Sequence, residues 1–323
     1  MHPRSPSITF HRLSYVAYVS YVLHAVQRRT VLSVMRRSWM LGALFATGLA
    51  AQGVTVRDGA GRPVRLAAPA QRIASVVPSA TDLLVALGAR GQLVARTRYD
   101  TARVVRAVTD VGGGLDPDLE RLVAARPQLV IAWVSQANAS WLARIEERGI
   151  ATYLVDTRDT TTFLHALEGL GALSGRGEAA RRARDGFRTA LAMARRPVAG
   201  TPLTGIYIVG VDGVYVAGAT SFIAQGLAIA GLASPLTDVR GDFPVISLES
   251  LLRRDPDVLV LPRPRSGTQL ATLRAKPGWR DLRAVREGRI IEVPGEPWVR
   301  PGLHFPSLVQ ALRTRVDSVR SSR

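Results

Sequence analysis

The sequence predicts an α/β chain of two similar lobes with parallel central sheets, joined by a long rigid α-helix. Three observations predict it. The stretch DLERLVAARPQLVIAW at 118–133 recurs as SLESLLRRDPDVLVLP at 247–262. Aligned without a gap, the copies share Leu119-Glu120 with Leu248-Glu249, Pro127 with Pro256, and a closing apolar run. Those runs, Leu129–Trp133 and Val258–Leu261, have the continuous apolar character of strands covered on both faces. Between the copies, residues 160–196 read as helix with no strand.

Each repeated unit reads as a helix followed by a strand. Asp118 and Ser247 are N-cap types, with side-chain oxygens for orphan backbone N–H groups. Leu119, Leu122 and Val123, like Leu248, Leu251 and Leu252, follow the i, i+3, i+4 spacing of a buried helix face. The prolines stop each helix. The other elements fall in order around these units. Residues 54–66, VTVRDGAGRPVRL, read as a hairpin with turn chemistry at Asp58-Gly59 and Ala60-Gly61. Arg72–Val77 is a strand. Ser79 with Asp82 resembles a capping box opening a helix over Ala80–Leu87, which Gly88 ends. Leu93–Thr97 is a strand with Tyr99 in the loop beyond. A helix over Ala139–Arg148 and a strand over Ile150–Val155 close the first lobe.

The segment 160–196 reads as helical with a break at Gly169, Gly171 and Ser174-Gly175. Its second piece, Arg176–Arg196, would be roughly 30 Å long and ends at Pro197 and Gly200. The second lobe restarts with strands at Gly205–Val211 and Val214–Ala217 and a helix from Gly218 through Ala230. After the repeated unit come a strand at Arg289–Val293 and a terminal helix at Ser307–Val319. The expected domains are 52–159, 160–197 as linker helix, and 198–323.

The formal charge is +18. Its arginines are scattered and often next to acids, with no basic run interleaved with aromatics, so nucleic acid is not the expected partner. Residues 1–51 hold six of the 43 basic residues and no acid; without them 37 basic residues face 25 acidic, a net of +12. That segment reads as an export signal. Met35-Arg36-Arg37 is a charged start, Trp39–Leu49 an apolar run too short to span a bilayer, and Gly48–Ala51 a small-residue cleavage site. The pattern starts best at Met35, so residues 1–34 read as an unused upstream segment. The rival reading is an uncleaved anchor holding a signalling subunit at the membrane. The absence of cysteine removes disulfides, thiol catalysis, thiolate metal sites and a lipid-anchoring residue. The expected product is a free periplasmic monomer.

Six pieces in order resemble a known family: IASVVPSATDLLVALGA, DLERLVAARPQLVIAW, the linker helix, YVAGATSFIAQGLAIAGL, FPVISLESLLRRDPDVLVL and the late EPWVRPG loop. Together they are similar to the cobalamin-binding branch of the periplasmic substrate-binding proteins of ABC importers, whose relatives take ferric siderophores and haem. The resemblance spans Arg72 to Val319. It implies two Rossmann-like lobes with a ligand cleft between them and a hinge helix that limits opening. It implies that Glu120 and Glu249 dock on arginines of a permease dimer. A helix's first turn suits such a carboxylate, although dipole complementation alone would place a glutamate there.

Ligands of open parallel sheets sit outside the strands' carboxyl ends. Trp133 ends a strand and Tyr99 follows one. In the second lobe Tyr215, Phe243 and Trp298 match the family's ligand-facing segments. For each aromatic the plainer alternative is core packing. Pro78 and Ser79 occupy the first strand–helix turn, where backbone N–H groups face the cleft. Glu296 and Arg300 are placed to bond corrin amides. Such aromatic surfaces with few polar anchors suit a bulky, flat ligand. The expected function is capture of cobalamin or a related corrinoid, with haem or a ferric siderophore as the alternative metal-chelate ligand, and no permanently bound cofactor. Two departures stand out: Gly112-Gly113-Gly114 where relatives often carry an aromatic, and YDTARVV in place of a proline-rich loop after Tyr99. Beyond residue 51 the chain has only His165 and His304, which supplies a metal cluster poorly. No G-x-S-x-G elbow, Walker A loop or dinucleotide fingerprint is present, and the histidines offer no nucleophile–base pair, so an enzyme is not expected.

Overall fold

The computed structural model describes residues 53–195 and 201–322. The export segment, Pro197 and Gly200 lie outside them. Among the described residues no helix is long and apolar enough to cross a membrane.

The chain opens with the expected hairpin, β1 (Val54–Arg57) against β2 (Pro63–Leu66). Then β3 (Ile73–Ser75) leads into α1 (Pro78–Ala86), followed by β4 (Leu93–Arg96) and β5 (Thr109–Asp110). The first repeated unit forms α2 (Leu119–Ala124) and β6 (Leu129–Trp133), and α3 (Ala139–Glu146) and β7 (Ala151–Val155) complete the first sheet. Its five strands are all parallel in the order β5-β4-β3-β6-β7. Side chains alternate between its faces as the pleat requires. Ile73, Leu129, Ile131 and Tyr153 join one apolar layer, while Ala74, Val130, Ala132 and Leu154 join the other with Trp141 and Ile145 of α3.

Two helices link the sheets, α4 (Thr160–Leu173) and α5 (Gly177–Ala194). Asp159 caps α4 through a full capping box with Thr162. The expected break at Gly169 and Gly171 does not occur; the chain turns at Ser174–Arg176, with Gly175 at φ +68°. The two glycines serve packing instead. A Cβ on Gly169 would meet the Tyr153 hydroxyl, and one on Gly171 would lie 2.3 Å from Ala180 Cβ on α5. Alpha-helical glycine here allows the two axes to approach closely.

The second sheet takes β8 (Leu203–Gly210), β9 (Val214–Val216), β10 (Leu232–Ala233), β11 (Val245–Ile246), β12 (Val258–Pro262) and β13 (Ile290–Val293). Its order is β11-β9-β8-β12-β13, with β10 also pairing to β8. The core β8-β12-β13 is parallel, but β9 and β11 add an antiparallel edge. The tight connection at Val211–Gly213 makes this inevitable, because a parallel return needs a crossover of a dozen residues or so. Its helices are α6 (Phe222–Ile229), α7 (Leu248–Arg254, in the second repeated unit), α8 (Gln269–Ala275), α9 (Arg283–Arg286), α10 (Gly295–Val299) and α11 (Phe305–Ser321).

The repeat shares a backbone detail. Arg126 and Asp255, equivalent positions just before the prolines, are the only non-glycine residues with positive φ among those described, at +48° and +34°. Each proline disfavours helix in its predecessor, so both helices end on a left-handed residue. The inner layers of the two sheets form one apolar cluster through α4, α5, α6 and α11. Because the α4–α5 contact has no spare volume, Gly171→Val should destabilise the chain by at least about 2 kcal/mol through overpacking. Urea unfolding measures this, and an unchanged midpoint would refute the tight contact.

Candidate functional site

In the first sheet the strand order reverses between β3 and β6, so their carboxyl ends flank a topological switch point. Pro78 and Ser79 follow β3, and Trp133 ends β6. Pro78 opens α1 at its first position, where a missing N–H costs nothing. The helix therefore starts two residues earlier than the capping-box reading expects, with Val77 at the cap position and no side-chain cap bond. Ser79 lies inside the first turn, 2 % exposed, and its Oγ finds no hydrogen-bond partner among the described residues. Trp133 is half-buried at the strand end, and its carbonyl accepts from Asn138 Nδ2 at 3.0 Å. Gly114 lets its loop cross the same end: a Cβ there would lie 2.6 Å from the Val76 carbonyl and 3.9 Å from Trp133 Cδ1.

Beyond β4, the buried Asp100 carboxylate accepts from Thr97 N at 2.9 Å and Thr97 Oγ1 at 2.6 Å. The turn this closes holds Tyr99 outward, 60 % exposed. In the second lobe, Tyr215 and Val245 are direct cross-strand partners on β9 and β11, and both are exposed, as is Phe243 two residues earlier. The Phe243 loop is tied down by Gly218, whose N–H donates to the Asp242 carbonyl at 2.9 Å. A Cβ on Gly218 would collide with the Gly241 carbonyl, so only glycine admits this loop.

Two candidate residues stand elsewhere than expected. Trp298 is not cleft-facing: it is 1 % exposed, in the core. Its ring packs 6.1 Å from Tyr207 and 5.8 Å edge-on to Phe305, over the space Gly226 leaves. Short α10 turns this indole inward, where its apolar area is worth most. Arg300 is no free donor for an amide. It crosses to the first lobe, where Nε lies 2.8 Å from Asp82 and Nη2 3.4 Å from Asp100, while Nη1 pairs with Glu296 at 3.1 Å. Glu296 itself is largely exposed. Neighbouring His304 donates through Nε2 to the Pro297 carbonyl at 2.9 Å, and burial pushes its pKa down.

Burial and the nearby Asp100 and Glu296 carboxylates push Asp82 up to about 6, against the pull of Arg300. The ion pair is thus present in geometry but outweighed by desolvation. On the other side, Arg158 after β7 grips buried Asp156 through Nε at 2.9 Å and Nη2 at 2.6 Å, and its charge also feels Asp242 of the second lobe and Asp159. Asp82 was read only as a capping-box partner of Ser79, and Asp100, Asp156, Arg158 and Asp242 escaped the sequence reading. The one local signal was Thr97-x-x-Asp100, a turn-forming spacing. Glu120 and Glu249 are both exposed in the first turns of α2 and α7, under the N-caps Asp118 and Ser247. The Glu249 carboxyl is held below its usual range by hydrogen bonds from its own N–H and from Ser247. No group of three or more His, Cys, Asp or Glu able to hold a metal occurs among the described residues. A groove of about 510 Å³ lies apart from the strand ends, lined by α4 and α5 residues including His165, Glu168, Phe187 and Arg188.

Comparison with known proteins agrees with this architecture. Residues 73–297 match the profile of the periplasmic binding protein family. The chain is 22% identical over 275 residues to an uncharacterised ABC transporter substrate-binding lipoprotein, YvrC, of Bacillus subtilis, covering 82% of this chain and 85% of that one. It is 24% identical over 193 residues to a vitamin B12-binding protein of Vibrio cholerae, covering 59% and 70%. The solved periplasmic heme-binding protein RhuT of Roseiflexus superposes with a TM-score of 0.66 at 21% identity, covering 77% and 98%.

Asp82 keeps its proton to higher pH folded than unfolded, so its contribution favours folding at low pH and is lost as pH rises toward about 6. Asp82→Asn should therefore gain thermal stability relative to the parent chain as pH rises from 4 to 7. Melting curves across that range test it; a difference independent of pH would mean Asp82 is not desolvated.

Proposed function

The chain belongs to the periplasmic binding protein family, a family of binding proteins rather than enzymes, and on that premise we propose that it captures cobalamin or a related corrinoid and delivers it to the permease of an ABC importer. The observation that carries the ligand class is the display of Tyr99, Tyr215 and Phe243, each about half or more exposed. Large aromatic surfaces in water mark a binding surface. Half-buried Trp133 adds an indole at the switch point. Flat, bulky chelates suit such surfaces, and a vitamin B12-binding protein is among the relatives. Haem is the second reading, favoured by the likeness to a heme-binding fold.

In this proposal the lobes are residues 52–159 and 198–323, with 160–197 as connector. Residues 35–51 direct export to the periplasm. The protein acts as a monomer, with Pro78 and the Ser79 turn beneath the ligand. Glu120 and Glu249 dock on the permease, one from each lobe, a symmetric pair for a two-fold surface.

Calorimetry with cyanocobalamin tests the ligand. Trp133→Ala should weaken binding by at least about 1 kcal/mol if the indole stacks on the ring system, and an unchanged affinity would return Trp133 to a packing role. Glu120→Ala combined with Glu249→Ala should leave binding intact and abolish uptake in a transport assay. Normal uptake by that double variant would rule out the docking role.

A further inference from the structure

We propose that this cleft selects neutral or cationic chelates and disfavours polyanions, because Arg300 and Arg158 beside it are held by the chain's own carboxylates. The proposal rests on the receptor reading above and names the charge class of its ligand.

The observations come from both sides of the lobe junction. On one side Arg300 is surrounded by Asp82, Asp100 and Glu296, at 2.8, 3.4 and 3.1 Å. On the other, Asp156 occupies two nitrogens of Arg158, with Asp159 and Asp242 nearby. Each group sets three carboxylates around one guanidinium, and each draws residues from both lobes. Each group therefore holds more carboxylates than guanidinium, within a chain of net charge +18. Guanidinium is the side chain best shaped to grip a ligand carboxylate or catecholate bidentately. Here an anionic ligand would have to displace Asp82, or share exposed Arg158 with Asp156, and then stand beside the remaining carboxylates. Repulsion of that kind gives specificity more readily than added attraction does.

Two further features agree. Ser79, one helical turn before Asp82 and on the same face of α1, has a buried Oγ with no partner among the described residues. It suits a neutral polar group such as an amide. Arg98 is exposed, with Nη2 near Gly112, and Asp116 stands in the same loop.

The test compares two pairs of chelates by titration calorimetry on the full chain at pH 7.5. One pair is aquacyanocobinamide, a cation, against haemin with its two propionates. The other is ferrioxamine B, a cation, against a ferric tris-catecholate, a trianion. The cationic member of whichever pair binds should be preferred by about ten-fold or more at low salt. The preference should shrink when ionic strength is raised from about 0.05 M to about 0.5 M. Asp82→Asn with Glu296→Gln should narrow it further. Equal or tighter binding of the anion in the pair that binds overturns the proposal and leaves the receptor reading standing. If only the iron-chelate pair binds, with the cation preferred, the charge class stands and the corrinoid assignment falls. Failure of all four chelates to bind overturns both.

Discussion

A chain of aromatic contacts ties the linker to the second lobe, and the geometry of the cleft depends on it. Phe187 of α5 lies 5.1 Å from Phe163 of α4, which lies 5.7 Å from Phe222 of α6. Phe222 meets Phe305 of α11 at 4.0 Å, and Phe305 meets Trp298. Phe163 belongs equally to the layer that covers the first sheet, together with Leu83, Leu84 and Tyr153. The lobes are therefore not two cores joined by a tether. Prying them apart would expose this seam, and fully exposing one such side chain costs about 1.5–3 kcal/mol. Exposing several rings would consume much of the roughly 5–15 kcal/mol that stabilises a typical domain. Wide opening would therefore break this shared seam.

The duplicated unit shows how one supersecondary element was put to two uses. Its helical half is kept closely: N-cap, first-turn glutamate, left-handed stop and proline recur at matching positions. Its strand half diverges at the last residue. Both strand-end residues are half-buried, but Pro262 meets the start of α10, where a Cβ on Gly295 would lie 2.8 Å from Pro262 Cβ, whereas Trp133 meets the Gly114 loop. What stays constant includes buried Leu122 and Leu251 as well as exposed Glu120 and Glu249, and what varies is the residue at the strand's end.

The fold was largely legible in the sequence because its signals are local. Apolar runs, caps and the repeat each lie within about a dozen residues, and the structure places the strands and helices close to where those signals put them. The misreadings share a different cause. Gly169 and Gly171 read as helix breakers, yet their role is set by Tyr153 and Ala180, residues on other elements. Trp298 reads as a cleft aromatic in a polar loop, yet Gly226, some seventy residues earlier, leaves the space that buries it. Arg300 finds two of its carboxylates in the other lobe. No periodicity within one segment encodes such a pairing. The exposure of Tyr99 follows from a local pattern, a strand end followed by a turn.

Rigidity and charge are linked in this molecule. A cleft that closes widely can discriminate by wrapping its ligand, since each ligand sets its own final contacts. A cleft held by a shared core has to discriminate with groups already in place. In the proposal above, Arg300 and Arg158 are such groups. Asp100 is fixed by Thr97 in the turn that displays Tyr99, so the aromatic contact and one carboxylate of the rim are built by the same few residues. Asp242 is fixed in the loop that displays Phe243, through its carbonyl on Gly218. On each side of the cleft an exposed ring and a rim carboxylate therefore share one turn. A substitution that moves either turn changes apolar contact and local charge together, and so cannot alter one property of the site without the other.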